Sequence, residues 1–293
     1  MKPERVATLS FMKSSNLITW LLVAACVAID LAIAGELQVR RNEWPEAGGL
    51  IGLGLTFSQV TMLAMWTVNG RTSILVRGVV SLVAVWMLGC LAEFSTTGRY
   101  EGAGMWFGVL MFYCTVSLVP FVLVRLTGYA LANDDSRGRT KTRVGLSANQ
   151  FSLFGILSLT TAIGITLGIV RFAVFPVGQL LGVAAFFTVL GATSCTLLLL
   201  SLYLRRIAFA IAASIVLCPT TGAVLSLTKI APGEGMFELM IMMCVQGSVL
   251  VAAAVVLRSV GYRLISERSL KLPTAAESSA SLTTESEGQG DEL

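Results

Sequence analysis

The sequence predicts an all-α integral membrane protein with about eight transmembrane helices. Only 13% of its 293 residues are charged, about half the share found in a soluble domain. The mean hydropathy is +0.79, and apolar runs of about 20 residues, enough to cross a bilayer as a helix, recur along the chain. These runs are continuously apolar rather than alternating, so they indicate helices and not the strands of a membrane barrel.

Eight transmembrane spans follow from the apolar runs, with ends placed to within about 2–4 residues. Most connections between them are short, so consecutive helices are expected to be antiparallel neighbours. The spans cover 16–35, 48–69, 72–95, 103–126, 150–171, 178–204, 206–229 and 236–260.

The first run has a rival interpretation as a cleaved signal peptide. Its basic start and the A-x-A pattern at Ala32-Ile33-Ala34 are typical of such a leader. We favour a retained helix, since the basic region is long and the apolar run is of full membrane length.

The distribution of Lys and Arg predicts that both termini are cytoplasmic. With the N-terminus inside, 16 of the 21 basic residues fall on the cytoplasmic side and 5 on the other. Such an excess is the usual orientation signal in membrane proteins. It predicts residence in a bacterial cytoplasmic membrane.

The chain divides into four predicted parts. Residues 1–128 form a first four-helix half, 129–149 a basic cytoplasmic loop, and 150–265 a second four-helix half. Residues 266–293 form an acidic tail rich in Ser and Thr, which we expect to be disordered because it has little to bury.

A short motif suggests that the two halves are related. Arg125–Leu131 and Arg258–Leu264 both read R-x-x-G-Y-x-L and lie 133 residues apart. An even number of helices in each half would make the repeats parallel. A simpler alternative is that the motif only ends a helix at the inner surface, where Arg and Tyr anchor and Gly terminates. Similar offsets pair Gly52 with Gly182, Arg77 with Arg205, and Cys90 with Cys218.

The fifth span begins with a recognisable segment. Residues 150–162 read QFSLFGILSLTTA, which resembles the QFSLxxLLxxTTxxA-like start of a transmembrane helix in uncharacterised planctomycete multi-pass membrane proteins. The likeness rests on Phe151, Ser152, Leu153, Leu157, Thr160, Thr161 and Ala162. It implies no activity.

No pattern in the sequence indicates catalysis or a cofactor. The chain has no histidine, which excludes His-dependent triads and His-containing zinc sites. Its six cysteines lie in apolar runs without a CxxC pair, as buried thiols do. We therefore predict that it is not an enzyme and uses no cofactor or metal.

The excess of basic residues is explained by loops that face anionic lipid, so we expect the bilayer rather than nucleic acid as the partner of this protein.

A few polar groups inside the apolar runs are candidates for an intramembrane site. A carboxylate in a span should face the bundle interior or water, since it is costly in lipid. A proline should kink its helix. The candidates are Asp30, Gln59, Pro219, Gln246 and Glu238. Glu93 and Glu238 could join Asp30 in an outward-facing acidic cluster, although separate carboxylates reaching water at the rim are the preferred interpretation.

Small residues spaced four apart indicate close helix contacts within the bundle or in a homo-oligomer. They are Gly48/Gly52, Gly104/Gly108, Gly164/Gly168 and Gly178/Gly182. The sequence thus leaves the function unassigned, with two hypotheses. One is a small-solute or ion transporter, and the other is a membrane scaffold or sensor acting through the loop and tail.

Overall fold

The computed structural model describes residues 24–36, 47–70, 73–97, 99–133, 177–204, 206–227 and 235–266. Seven helices and two strands lie in these ranges. Helix α1 covers 24–36, and the other elements are α2 (Ala47–Asn69), α3 (Ile74–Thr97), α4 (Ala103–Leu126), β1 (Tyr129–Asn133), α5 (Val177–Tyr203), α6 (Ile207–Ser226), α7 (Met236–Ser259) and β2 (Tyr262–Ser266).

Six of the helices, α2 to α7, are long and apolar enough to cross a membrane. They coincide with six of the predicted spans, so a multi-pass helical membrane protein is confirmed. Helix α1 lies within the predicted first span. The predicted span at 150–171, with its QFSL segment, lies outside the described residues, as do 134–149 and 267–293.

Four helices form the centre of the bundle and two flank it. Helix α2 packs on α4 and α7, and α5 packs on α4 and α7, whereas α3 covers α2 and α4 and α6 covers α5 and α7. The flanking helices expose apolar side chains such as Val83, 56% exposed, and Val216, 63% exposed. Apolar surface of this kind is suited to lipid tails.

Aromatic side chains pack against one another at the centre of the bundle. Tyr113 on α4 and Phe187 on α5 both pack on Phe57 of α2, with ring centroids 4.8 and 5.9 Å away. Both contacts are edge-to-face, a favoured geometry for aromatic rings. Tyr113 is fully buried.

The R-x-x-G-Y-x-L motifs build one structure together. Gly128 and Gly261 have φ of 84° and 88°, a left-handed conformation that commonly ends helices and is easiest for glycine. The strand that follows each glycine pairs antiparallel with the other, with Leu131 opposite Leu264 at the middle. This β1–β2 ribbon was not predicted, since residues 129–133 were assigned to a loop.

A constant offset of 133 residues relates much of the described structure. Adding 133 to the residue numbers at the two ends of α4 gives the two ends of α7, and the same holds for β1 and β2. Arg125 donates to the carbonyl oxygen of Val68, and Arg258 donates to that of Ser201, each 57 residues earlier. The other pairings drawn from the sequence have different offsets: the residues 133 positions after Gly52, Arg77 and Cys90 are Ala185, Ala210 and Ala223.

Two close helix crossings obey the same offset. A Cβ on Gly89 of α3 would lie 2.9 Å from the backbone nitrogen of Phe107, and one on Gly222 of α6 would lie 2.7 Å from that of Met240. Among the predicted small-residue pairs, Gly52 contacts Ile33 of α1, whereas Gly104 faces open space.

Candidate functional site

A cleft opens between the first four helices. It is partly open and has about 30 Å³ of space that a water-sized molecule can occupy. Its polar lining comes from Asp30 on α1, Thr56 on α2 and Ser95 on α3, and Trp106 of α4 forms part of the wall.

Asp30 lies at this cleft and is bonded to a second predicted site residue. The side-chain amide of Gln59 donates to both carboxylate oxygens of Asp30, at 2.8 Å each. Asp30 is half-buried. The structure thus brings together two polar residues that are 29 positions apart in the chain.

The Asp30–Gln59 pair lies deep along α2. Gln59 is 12 residues beyond Ala47, which corresponds to about 18 Å along a helix axis. The cleft follows α2 from Gly49 to Thr56, one turn short of Gln59. Asp30 therefore lies near the middle of α2 rather than at its rim.

The polar atoms of the cleft are rich in acceptors. The Thr56 hydroxyl donates its proton to the carbonyl oxygen of Gly52, and the Ser95 hydroxyl donates to that of Leu91. Each hydroxyl has one proton, so its oxygen is left with lone pairs only. Together with the Asp30 carboxylate, these oxygens suit a ligand that carries positive charge or N–H groups.

The other acidic candidates are not at the cleft. Among the described residues no group of three His, Cys, Asp or Glu side chains could hold a metal, and neither Glu93 nor Glu238 is among the residues that line the cleft. Glu93 is only 6% exposed and accepts a hydrogen bond from the Gly102 backbone N–H. It therefore differs from the expected water-facing rim carboxylate. Glu238 lies in the first turn of α7, where an acid stabilises the helix.

Pro219 is also remote from the cleft. Helix α6 continues through it from Ile207 to Ser226, so the described helix is not broken at the proline. The Thr220 hydroxyl donates to carbonyl oxygens of the preceding turn, and the Thr221 hydroxyl lies 3.2 Å from that of Thr193 on α5. This arrangement joins α5 and α6.

Gln246 belongs to a separate polar network at the centre of the bundle. Its side-chain amide donates to the Tyr113 hydroxyl at 2.8 Å and to the Ser194 hydroxyl at 2.6 Å, and Tyr113 is 2.8 Å from the Thr61 hydroxyl. All four side chains are at most 1% exposed.

The direction of each hydrogen bond in this central network follows from counting protons. Thr61 and Ser194 both donate to the carbonyl four residues earlier, of Phe57 and Leu190. Their oxygens can then only accept. Tyr113 must therefore donate to Thr61, and its oxygen accepts from the amide of Gln246. This order fixes which end of the Gln246 amide faces Tyr113.

The central network also follows the 133-residue offset, which carries Thr61 to Ser194 and Tyr113 to Gln246. The sequence indicated Gln246 as a candidate, whereas Thr61 and Tyr113 were missed. Extending the offset of the two motifs upstream would have found them. No family model, curated protein or solved structure matches this chain.

Proposed function

We propose that the protein is a non-enzymatic transporter of a small cationic solute or ion, which enters through the cleft that contains Asp30. The observation that carries this proposal is the Asp30–Gln59 pair, held by two 2.8 Å hydrogen bonds. An ionisable group at this depth in a membrane protein is costly and commonly serves an ion or solute pathway.

The chemistry of the lining favours a singly charged ligand. Asp30 is the only carboxylate among the described residues that line the cleft. One negative charge with neutral oxygen acceptors suits a monovalent cation, a proton or an amine better than a divalent metal, which prefers several carboxylates.

Two parallel four-helix repeats, eight helices in all, form the second part of the proposal. The constant 133-residue offset of helix ends, arginine contacts and polar groups supports it. At that offset α1 corresponds to 157–169, inside the predicted fifth span. Parallel repeats related by an axis along the membrane normal occur in known transporters.

The offset also supplies an internal comparison for Asp30. Its counterpart in the second half is Ile163, and the counterpart of Gln59 is Ala192. If the fold is built twice, a charge present in one copy only is not required for folding. The comparison therefore supports a functional role for the Asp30–Gln59 pair.

Binding is the first test of the transporter. Purified full-length protein is titrated with sodium, potassium and methylammonium chloride while the thermal unfolding temperature Tm is measured. We expect one cation to raise the Tm of the wild type and of Glu36→Gln, a charge-matched control on α1, but not that of Asp30→Asn. Equal responses of the wild type and Asp30→Asn to every cation would contradict the proposal.

Transport is then tested with the cation that binds. Its uptake into vesicles containing the wild type should exceed uptake with Asp30→Asn by about tenfold, because a lost charge-assisted contact is worth about 1.5–3 kcal/mol. If uptake equals that of protein-free vesicles, the protein binds the cation but does not transport it, and the transporter proposal fails.

The orientation proposed is cytoplasmic for both termini in a bacterial cytoplasmic membrane. Reporter fusions after residues 140 and 293 should read cytoplasmic, and one after residue 233 should read external. The 16-to-5 distribution of basic residues supports this topology.

A scaffold or sensor is the second candidate function. It is favoured by the β1–β2 ribbon, which ties the start of the basic loop to the segment that leads into the acidic tail. Deleting 134–149 or 272–293 should then abolish capture of a partner by the tagged protein. Identical captured proteins from the full-length and deleted chains would contradict it.

A further inference from the structure

A buried arginine lies at the end of the bundle opposite Asp30. Arg77, in the first turn of α3, is only 8% exposed. Its Nε and Nη1 atoms are buried and have no hydrogen-bond partner in the described part of the chain. An arginine near the end of a transmembrane helix usually snorkels to the membrane surface, and the buried guanidinium of Arg77 differs from that.

The side chain of Arg77 lies across the end of α2. A Cβ on Gly70 would come within 2.6 Å of the Arg77 Cδ and 3.3 Å of the Trp66 Nε1. The absence of a side chain at Gly70 therefore leaves room for the Arg77 side chain. The neighbouring Trp66 indole N–H can also donate a hydrogen bond.

A second arginine approaches the same place from α4. Arg125 donates to the carbonyl oxygen of Val68, two residues before Gly70, and is close enough to repel Arg77 electrostatically. The first turn of α3 adds the positive end of the helix dipole, while its Val76 and Arg77 N–H groups are bonded to Ser73.

No described carboxylate balances this positive charge. The five described acids lie toward the other ends of their helices or in the connections there: they are Asp30, Glu36, Glu93, Glu101 and Glu238. Two guanidinium groups and a helix N-terminus without a counter-charge form a site for an anion.

The second half again provides a comparison. The residue 133 positions after Arg77 is Ala210, which is fully buried in α6. A small apolar side chain thus suffices for packing at the equivalent position. Arg77 carries a charge that the packing does not require, although an unpaired buried charge destabilises a fold.

We propose that Arg77 and Arg125 bind a phosphate group at the inner membrane surface, with Trp66 at its side. The phosphate belongs to the headgroup of an anionic phospholipid or to a free phosphate compound. Arginine forms strong charge-assisted hydrogen bonds with phosphate oxygens, and the ends of α2 and α4 place the site at the level of lipid headgroups.

The test uses purified full-length protein and two probes, inorganic phosphate and detergent micelles that contain phosphatidylglycerol. Micelles that contain phosphatidylcholine, a zwitterionic lipid without net charge, are the control. We expect a probe to raise the Tm of the wild type by about 2–4 °C and to leave that of Arg77→Ala unchanged. Arg206→Ala, which removes an exposed charge at the start of α6 on the same side, should respond like the wild type. A response to inorganic phosphate identifies a soluble ligand, and a response to phosphatidylglycerol alone identifies a lipid.

Without a probe, Arg77→Ala should be at least as stable as the wild type, because it removes an unpaired buried charge and reproduces Ala210. Arg77→Lys keeps the charge and should retain part of the response. The proposal is overturned if both probes act on the wild type and Arg77→Ala alike, or if Arg77→Ala is destabilised without a probe, since either result would show a structural role.

Discussion

Tyr113 and Gln246 are 133 residues apart in the chain, and their side chains meet in a hydrogen bond of 2.8 Å at the centre of the bundle. Each is tied to a hydroxyl residue of another helix, Thr61 for Tyr113 and Ser194 for Gln246. The bond thus links the two halves of the chain at positions that the same offset relates. The pairing of Leu131 with Leu264 in the ribbon has the same property.

The central network should contribute to stability as a coupled unit. Tyr113→Phe and Gln246→Leu should each lower the free energy of unfolding by on the order of 1 kcal/mol, since each leaves buried partners without a hydrogen bond. The double variant should lose less stability than the sum of the two single losses. The difference, which is the coupling energy of the pair, should be about 0.6 kcal/mol and at most about 1.7 kcal/mol. Unfolding titrations of the four proteins measure this coupling. Thr188→Val is the control, because this exposed hydroxyl is bonded within its own helix, and it should show no coupling to Gln246→Leu. If the losses of Tyr113→Phe and Gln246→Leu simply add, the two residues do not act as a network.

The two tight helix crossings should respond alike to a single added methyl group. Gly89→Ala and Gly222→Ala each place a Cβ within 3 Å of backbone atoms of the next helix, which cannot move aside as a side chain could. We expect a loss of about 1–3 kcal/mol, as for other overpacked sites. Gly78→Ala, with nothing within 4 Å, is the matched control in a helix. Thermal unfolding of the three variants measures these losses of stability. If Gly89→Ala and Gly222→Ala lose no more stability than Gly78→Ala, the helices do not approach so closely.

The glycines that end α4 and α7 should be sensitive for a different reason. Gly128 has open space around it, but its φ of 84° is strained for alanine, as is the 88° of Gly261. Gly128→Ala should therefore cost about 1–2 kcal/mol, whereas Gly104→Ala, also in open space but helical, should be neutral or slightly stabilising. The comparison of Tm values separates backbone strain from crowding. A neutral Gly128→Ala would mean that the helix does not end in this conformation.

Hydropathy and charge were enough to predict the spans, because a bilayer demands long apolar segments whatever they pack against. They could not show that Asp30 meets Gln59, since a helix that is apolar on all sides gives no signal of which face turns inward. The five-residue ribbon strands were missed because each is too short to show a strand pattern, and each pairs with a segment 133 residues away. The two R-x-x-G-Y-x-L motifs were recognised because they are polar, but the other pairings were drawn at unequal offsets. Only one spacing satisfies the arginine contacts, the glycine crossings and the polar network together.

The ribbon makes the most direct prediction about the relation between the halves. Because Leu131 lies opposite Leu264 and Ala132 opposite Arg263, Leu131→Cys with Leu264→Cys places two thiols on the same face of paired strands. Paired strand positions have Cβ atoms about 4.5–5.5 Å apart, which is near the reach of a disulfide. Mild oxidation of the membrane-embedded protein should give the linked peptides in mass spectrometry. Leu131→Cys with Arg263→Cys should give none, since adjacent residues of a strand point to opposite faces. Equal yields from the two pairs would show that the register is wrong, and the ribbon could then not join the halves at their equivalent leucines.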